Sequence, residues 1–230
     1  MKNHYNNTCT VYDSRFSCFN ELTEEQVKLV EKHKVLVHYK KGETICKQGT
    51  FASHIVYLRE GLAKVYLEGG PRNLVLKISP AGNLIGLPSI YEGNNIFLYS
   101  AATYTDALVE MIDIHVFKQL IKENAPFAYR VINVLNENTV QIYGRFYCLT
   151  NKQLHGRVAD ILLCLANRIF KTMEFVLPLS RTDLAELTNM STESVIRVLK
   201  DFNEDGLIRL NGKSIRILNY DMLSRISNVG

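Results

Sequence analysis

The stretch from Leu179 to Phe202 constrains the fold more than any other part of this 230-residue chain. Its apolar spacing predicts two short helices with a tight corner at Thr188 to Met190. A helix-turn-helix needs a small residue where its helices meet and a turn residue that tolerates positive φ. Ala185 and Asn189 satisfy these needs, and Ser191 can cap the second helix. The stretch therefore predicts a helix-turn-helix.

The second predicted helix has two distinct faces, because successive residues lie about 100° apart around a helix. The apolar face, expected to pack inward, carries Val195, Val198, Leu199 and Phe202. The opposite face carries Glu193, Ile196, Arg197 and Lys200. In a major groove, Arg pairs with guanine, Glu accepts from cytosine and an apolar group contacts the thymine methyl. We expect Glu193, Ile196 and Arg197 to read bases, although Glu193 and Arg197 alone would also suit an ordinary surface ion pair.

Two short alternating runs follow, Leu207 to Leu210 and Lys213 to Ile217, with Asn211 and Gly212 between them. Asn-Gly between such runs is the strongest short hairpin signal. A hairpin directly after a helix-turn-helix makes a winged variant of that motif.

The segment from about residue 35 to 112 is rich in β-branched and aromatic residues and is interrupted by glycines. Turn residues at intervals of about 8 to 12 positions predict an antiparallel β-roll or small barrel. Residues 68 to 71 (Glu-Gly-Gly-Pro) are expected to form a hairpin tip within it.

After Asp113, helical spacing runs from Val116 to about Thr150, and Pro126 suits the first turn of a long helix. This helix could pack on its own β domain or form a parallel dimer seam; Asn138 could mark solvent or a register-setting pair. The seam residues would be Val131, Leu135, Asn138, Ile142 and Leu149, with Phe146 as an alternative to Leu149. A further helix is predicted from Lys152 to Lys171.

The composition, 47% hydrophobic with a net charge of +4, is that of a globular protein and allows nucleic-acid binding without requiring it. The chain shows no spanning apolar stretch and no signal-peptide core, so we expect a cytoplasmic protein without a membrane partner. Five scattered cysteines argue against a disulfide framework. We find no nucleophile–base pair, phosphate-binding glycine loop or metal motif, so an enzyme is not expected.

A glycine-punctuated β-roll, a long helix and a winged helix-turn-helix with Ser-Arg-x-x-Leu-Ala and Glu-x-x-x-Arg resemble the Crp/Fnr family of bacterial transcription regulators. The resemblance implies an α+β fold with a cyclic-nucleotide-binding-like sensor domain (1–124), a central dimerisation helix (125–150) and a DNA-binding domain (151–230). It implies a homodimer on near-palindromic double-stranded DNA, a signal sensed in the roll, a hinge near Leu149 to Leu154, and RNA polymerase as a candidate partner. Contacts to the DNA backbone are implied for Arg181, Ser191, Ser194, Lys200 and Lys213. The alternative is a ligand- or haem-binding module whose helix-turn-helix binds protein.

The signal is less well defined. In the cyclic-AMP branch, Gly-Glu and a later Arg-Ser hold the nucleotide, but here Leu87 stands in place of Glu and no Arg lies between Arg72 and Arg130. Burying a cyclic phosphate without a cation is costly, so cyclic AMP is not expected. An iron–sulfur cluster would need four thiolates, which only Cys9, Cys18, Cys46 and Cys148 could supply. The alternative for Cys46, and the expectation for Cys164, is burial as a small apolar residue.

A third branch of the family senses nitric oxide or carbon monoxide through haem, and an apolar wall in the roll and long helix could form the haem pocket. The candidate pocket residues are Leu84, Ile85, Leu87, Ile90, Phe97, Leu98, Leu135, Ile142 and Tyr143. The same residues suit any β-roll core, and none of the six histidines stands in a distinctive motif, so no metal ligand is named. Other organic ligands, thiol oxidation and no ligand at all stay open.

Overall fold

A computed structural model describes residues 18–69 and 72–229. The chain forms two compact units. One, here called the roll unit, contains the described residues up to 68 together with 78–140. The other, here called the C-terminal unit, contains the described residues of 69–77 together with those from 141 onward.

The N-terminal half contains antiparallel strands, as its regularly spaced glycines predict. Its strands are β1 (Lys34–Tyr39), β2 (Thr44–Cys46), β3 (His54–Glu60), β4 (Leu62–Leu67), β5 (Leu74–Pro80), β6 (Asn83–Ile85), β7 (Ser100–Thr103) and β8 (Ala107–Asp113). They form two four-stranded sheets in the orders β1-β8-β3-β6 and β2-β7-β4-β5. The predicted hairpin tip between β4 and β5 includes residues 70 and 71, which lie outside the described residues.

Gly61 makes the corner between β3 and β4 with a φ of +94°. A Cβ at this position would lie 2.5 Å from the carbonyl oxygen of Asp106. Only glycine can therefore bring this corner so close to the start of β8.

Among the described residues, three α-helices accompany these strands, and the first two begin at clear caps. Thr23 and Gln26 form a capping box for α1 (Glu24–Lys32), and Asp113 caps α2 (Ile114–Glu123). The long helix α3 (Ala125–Asn151) carries Pro126 in its first turn, as predicted. Short 3₁₀ turns occupy Cys18–Glu21 and Leu87–Ile90.

The chain leaves helical structure only briefly after α3, at Lys152 and Gln153, inside the predicted hinge range. It continues as α4 (Leu154–Cys164), whose last turn passes into a π-helical turn at Leu165–Phe170. The predicted helix from Lys152 to Lys171 is thus confirmed with a change of helical type at its end.

The remaining elements form the predicted winged helix-turn-helix. They are β9 (Glu174–Val176), α5 (Arg181–Thr188), α6 (Thr192–Glu204), β10 (Ile208–Asn211), β11 (Ser214–Ile217) and α7 (Tyr220–Val229). The three strands form a sheet in the order β10-β11-β9. The α+β fold class is therefore confirmed.

A buried ion pair joins the segment after α3 to α4. Lys152 Nζ lies 2.7 Å from Asp160 Oδ1, and both side chains are less than a tenth exposed. Ser227 of α7 accepts from Lys152 Nζ at 3.2 Å and donates to Asp160 Oδ1 at 3.1 Å. The end of α3, the middle of α4 and the C-terminal helix are thereby joined at one point.

The exposed apolar face of α3 differs from the predicted dimer seam. Val131 is 2% exposed because it packs within its own chain, so its assignment to the seam is wrong. Leu135, Asn138 and Leu149 are only partly exposed, and Ile142 is 45% exposed.

The largest exposed apolar side chains on α3 include Ile132, Tyr143 and Phe146 at 53%, 67% and 69%. The middle of this exposed face is rotated about the helix axis by about 100°, the angle between successive residues, from the middle of the predicted seam. The apolar repeat in the sequence therefore combined residues that face the core, such as Val131, with residues on the surface, such as Ile142.

No helix within residues 18–69 and 72–229 is both long enough and apolar enough to cross a membrane.

Candidate nucleic-acid interface

The corner between α5 and α6 is built as the sequence predicts. Ser180 and Asp183 form a capping box at the start of α5. Asn189 ends α5 with a φ of +50°, the left-handed conformation that Asn tolerates better than most residues. The amide of Met190 then donates to Ala185 O at 2.9 Å. Ser191 Oγ accepts from the amide of Ser194 at 3.0 Å and so caps α6.

Helix α6 presents the expected polar face to solvent. Its apolar residues Val195, Val198, Leu199 and Phe202 are at most 1% exposed. Ile196 is 50% exposed, and Glu193, Arg197 and Lys200 are also exposed. The three residues expected to read bases therefore lie on one accessible face at the first turns of the helix.

Two charged side chains on this face, Glu193 and Lys200, interact with groups close to them in the chain. Hydrogen bonds from its own backbone amide and from Ser191, with the Arg72 charge as a smaller cause, lower the pKa of Glu193. Lys200 lies 3.5 Å from Glu204 one turn later, an exposed pair that holds its side chain only weakly. Glu193 is thus ionised near neutral pH and can accept a hydrogen bond.

The predicted backbone-contacting residues lie in different environments. Ser191 and Ser194 are half-buried at the α6 cap, with their hydroxyls 3.0 Å apart. Lys213 is exposed at the end of the wing. Arg181, the first residue of α5, is half-buried, and its Nη2 donates to Gly212 O at 3.0 Å. Burial lowers the pKa of Arg181.

The wing is a tight hairpin whose turn residues are Gly212 and Lys213, because Asn211 pairs with Ser214. Gly212 has a φ of +59°, and glycine at the first of two turn positions is typical of a type II′ hairpin. The sequence predicted the hairpin correctly, but Asn211 is the last residue of its strand and not part of the turn. The amide of Leu177 donates to Lys213 O at 2.9 Å.

Sequence reasoning missed the contact of residues 72 and 73 with the helix-turn-helix. Arg72 Nη1 donates to Met190 O at 2.6 Å, and Asn73 Nδ2 lies 3.4 Å from Glu186 Oε1. A polar cavity of about 370 Å³ lies here, and its lining includes Arg72, Asn73, Thr182, Glu186, Thr192 and Glu193. No local signal could have revealed this contact, because the partners are more than a hundred residues apart in the chain.

Arg157 provides a second support for the corner. Its Nε donates to Lys152 O at 2.8 Å and its Nη1 donates to Thr188 O at 3.3 Å. One guanidinium therefore links the segment after α3 to the end of α5.

The structure divides the predicted effector pocket. Leu84, Ile85, Leu87 and Phe97 are at most 3% exposed in the roll unit. Ile90 and Leu135 are partly exposed. Leu98, Ile142 and Tyr143 are 37%, 45% and 67% exposed in the single chain, so their place in an effector pocket stays a prediction.

The place that resembles the cyclic-nucleotide site contains a tyrosine. Tyr99 precedes Ser100, where the resemblance would place Arg-Ser, and its hydroxyl accepts from the amide of Gly86 at 2.8 Å. Burial raises the pKa of Tyr99, so the phenol stays neutral. The Tyr99 hydroxyl is neutral and already occupies the Gly86 amide, and Leu87 stands where the cyclic-AMP branch has Glu. These residues supply no cation and do not fit a cyclic phosphate.

The described cysteines do not resemble a cluster site. Cys46 and Cys148 are buried free thiols, and burial raises the pKa of Cys46 to about 12 and that of Cys148 to about 11. Thiolate, the metal-binding form, is disfavoured at such values. Cys164 is 5% exposed, as expected, but it is disulfide-bonded, which the sequence did not predict.

Cys9 and the side chain of Cys18 lie outside the described residues. Among the residues that the structure describes, no group of three or more His, Cys, Asp or Glu side chains could hold a metal ion.

Comparison with known proteins supports both halves of the chain. Residues 36–124 match the cyclic nucleotide-binding domain, and residues 156–226 match the Crp-like helix-turn-helix domain. Electron transport regulator A of Shewanella oneidensis is 25% identical over 215 residues, which cover 90% of this chain and 83% of that protein. A CRP-like cAMP-activated global transcriptional regulator of Mycobacterium tuberculosis is 26% identical over 219 residues, covering 92% and 96%.

Solved structures agree on the fold. A transcriptional regulator of the Crp/Fnr family from Eubacterium rectale matches with a TM-score of 0.77 at 22% identity, covering 93% of this chain and 98% of that one. The two domain matches together span most of this chain, and its relatives are regulators and not enzymes. The chain therefore belongs to the Crp/Fnr family of DNA-binding transcription regulators.

Proposed function

We propose that this regulator binds a near-palindromic operator as a homodimer, with α6 in the major groove and the wing on the phosphate backbone. The observation that carries the proposal is the division of α6 into a buried apolar face and an exposed face with Glu193, Ile196 and Arg197. These side chains match the donor, acceptor and methyl contacts of the major groove. In a two-fold dimer, the half-sites would lie about 10 to 10.5 base pairs apart.

Two substitutions separate base reading from backbone binding. Arg197→Ala should weaken binding to the selected operator by about 1 to 3 kcal/mol and relax discrimination at one G·C pair. Lys213→Ala should weaken binding to all sequences alike and reduce the salt slope by about one unit.

Fluorescence anisotropy with selected and scrambled duplexes at several salt concentrations measures both effects. Equal losses on both duplexes for Arg197→Ala would remove its base-reading role. If the protein binds neither duplex and the exposed face of α6 instead binds a protein, the alternative of a protein-interaction module would be favoured.

The exposed apolar face of α3 supports the dimer. We propose that Ile142, together with Ile132, Tyr143 and Phe146, contacts the second copy, with Leu135, Asn138 and Leu149 at the edge of that contact. Such exposed patches on a helix mark protein interaction sites.

Phe146→Glu, at a position 69% exposed in the single chain, should give monomers in analytical ultracentrifugation without unfolding. Glu137→Gln, about 180° away on the same helix, is the matched control and should stay dimeric. A Phe146→Glu dimer of unchanged affinity would contradict the proposed surface.

The effector is proposed to be something other than a cyclic nucleotide, because Tyr99 and Leu87 stand at the phosphate- and ribose-binding positions. The visible spectrum of anaerobically purified protein, before and after addition of haem, tests the alternatives. A Soret band at one haem per subunit would indicate a gas sensor, and broad absorption near 400 nm with bound iron and sulfide an iron–sulfur cluster. A colourless protein would leave an organic effector, thiol oxidation or constitutive binding. Contact with RNA polymerase stays a prediction.

A further inference from the structure

The arginine at the start of α5 is turned toward the wing. Arg181 Nη2 donates to Gly212 O at 3.0 Å, and the side chain is half-buried. A cation in the first turn of a helix is disfavoured by the positive end of the helix dipole. The hydrogen bond to a carbonyl, a partially negative group, offsets this cost and fixes the direction of the guanidinium.

The wing end that Arg181 contacts is also held by strand β9, because Ser214 pairs with Val176. The amide of Leu177 donates to Lys213 O at 2.9 Å, and further along the hairpin the amide of Leu210 donates to Asn203 Oδ1 at 2.8 Å. Gly212 itself is exposed and has no side chain to pack. The contact from Arg181 is thus a side-chain bond to the turn itself, next to Lys213.

We infer that Arg181 is a positioning residue that holds the wing so that Lys213 can reach the DNA backbone, and that it is not an independent phosphate contact. The inference rests on the proposed contact of Lys213 with DNA. It changes the role that the family resemblance implies for Arg181, because the direction of the guanidinium is set by Gly212 in the protein without DNA.

A double-mutant cycle tests the inference on DNA. Lys213→Ala should lower the salt slope of operator binding by about one unit. Arg181→Met should lower it by about the same amount, because a displaced wing loses the same phosphate contact. The double variant should lose about one unit in total. A loss of about two units would mean two independent phosphate contacts and would overturn the inference. Arg225→Met on α7 controls for the removal of one positive charge.

A second experiment needs no DNA and separates this inference from the proposed function. Hydrogen exchange in the free protein should show the Leu177 amide exchanging about tenfold faster in Arg181→Met, because the loss of a charged hydrogen bond loosens the turn. Arg209→Met, which removes an exposed arginine of the same hairpin, should leave this amide unchanged. Unchanged exchange in Arg181→Met would overturn the inference, whether or not the protein binds DNA.

Arg181→Gln provides the decisive comparison, because glutamine keeps an N–H donor and removes the charge. A positioning role predicts that Arg181→Gln retains most of the Leu177 protection and most of the salt slope. A phosphate-contacting role predicts that it loses the same slope as Arg181→Met.

Discussion

Replacing Asp160 with Asn would leave the Lys152 ammonium buried without its anionic partner. At the observed 2.7 Å and an effective dielectric constant of about 20, the attraction between the two charges is about 6 kcal/mol. The cost of removing both ions from water opposes most of this attraction. Breaking such a pair from one side therefore costs about 3 to 5 kcal/mol, because the remaining charge keeps its desolvation cost.

Urea unfolding followed by circular dichroism measures this effect. With a slope of about 2 kcal/mol per molar urea, the midpoint of the C-terminal unit should fall by about 1.5 to 2.5 M in Asp160→Asn. The matched control is the double variant Lys152→Met with Asp160→Leu, which removes both charges and should recover most of the stability. A midpoint change below about 0.5 M in Asp160→Asn, or a double variant less stable than the single one, would refute the reasoning.

Three further predictions concern single positions. Burial lowers the pKa of Lys77 to about 8. Because the unfolded chain binds more protons than the folded one between about pH 8 and 10.5, Lys77 makes the free energy of unfolding rise by about 3 kcal/mol over that range. Lys77→Met should lose this rise, so the gap in unfolding free energy between the variant and the wild type should change by about 3 kcal/mol between pH 7 and pH 10.5 in urea unfolding. A gap independent of pH would contradict this. Tyr99→Phe should cost about 1 to 3 kcal/mol in urea unfolding, because the buried Gly86 amide loses its acceptor; an unchanged midpoint would show that the bond contributes nothing. Asn189→Val should cost about 1 to 2 kcal/mol at its positive φ, whereas Asn189→Gly should not; equal losses would argue against backbone strain.

Local patterns predicted much of the fold. The cap at Ser191, the turn at Asn189 and the division of α6 into two faces each depend on residues only a few positions apart. Helical periodicity and capping chemistry are sufficient for such features. The exposed side of α6 could therefore be named from the sequence.

Features that depend on distant parts of the chain could not be predicted. Val131 has the spacing of a seam residue, and only the packed structure shows that its own chain buries it. The contact of Arg72 with Met190 joins residues that no periodic pattern relates. Arg181 was predicted to contact the DNA backbone, but the direction of its side chain depends on a hairpin thirty residues later in the chain.

The register of the first strand bears on how the protein folds. Strand β1 pairs with β8, so that Lys34 lies opposite Ile112, whereas β10 and β11 pair across a two-residue turn. During synthesis, β1 leaves the ribosome long before its partner exists, so its unpaired backbone groups stay available to other chains in the meantime. Because closing a long loop must precede this pairing, we expect the β1–β8 ladder to form later than the wing during refolding. The half of the molecule that contains the roll is thus the half most exposed to misassembly.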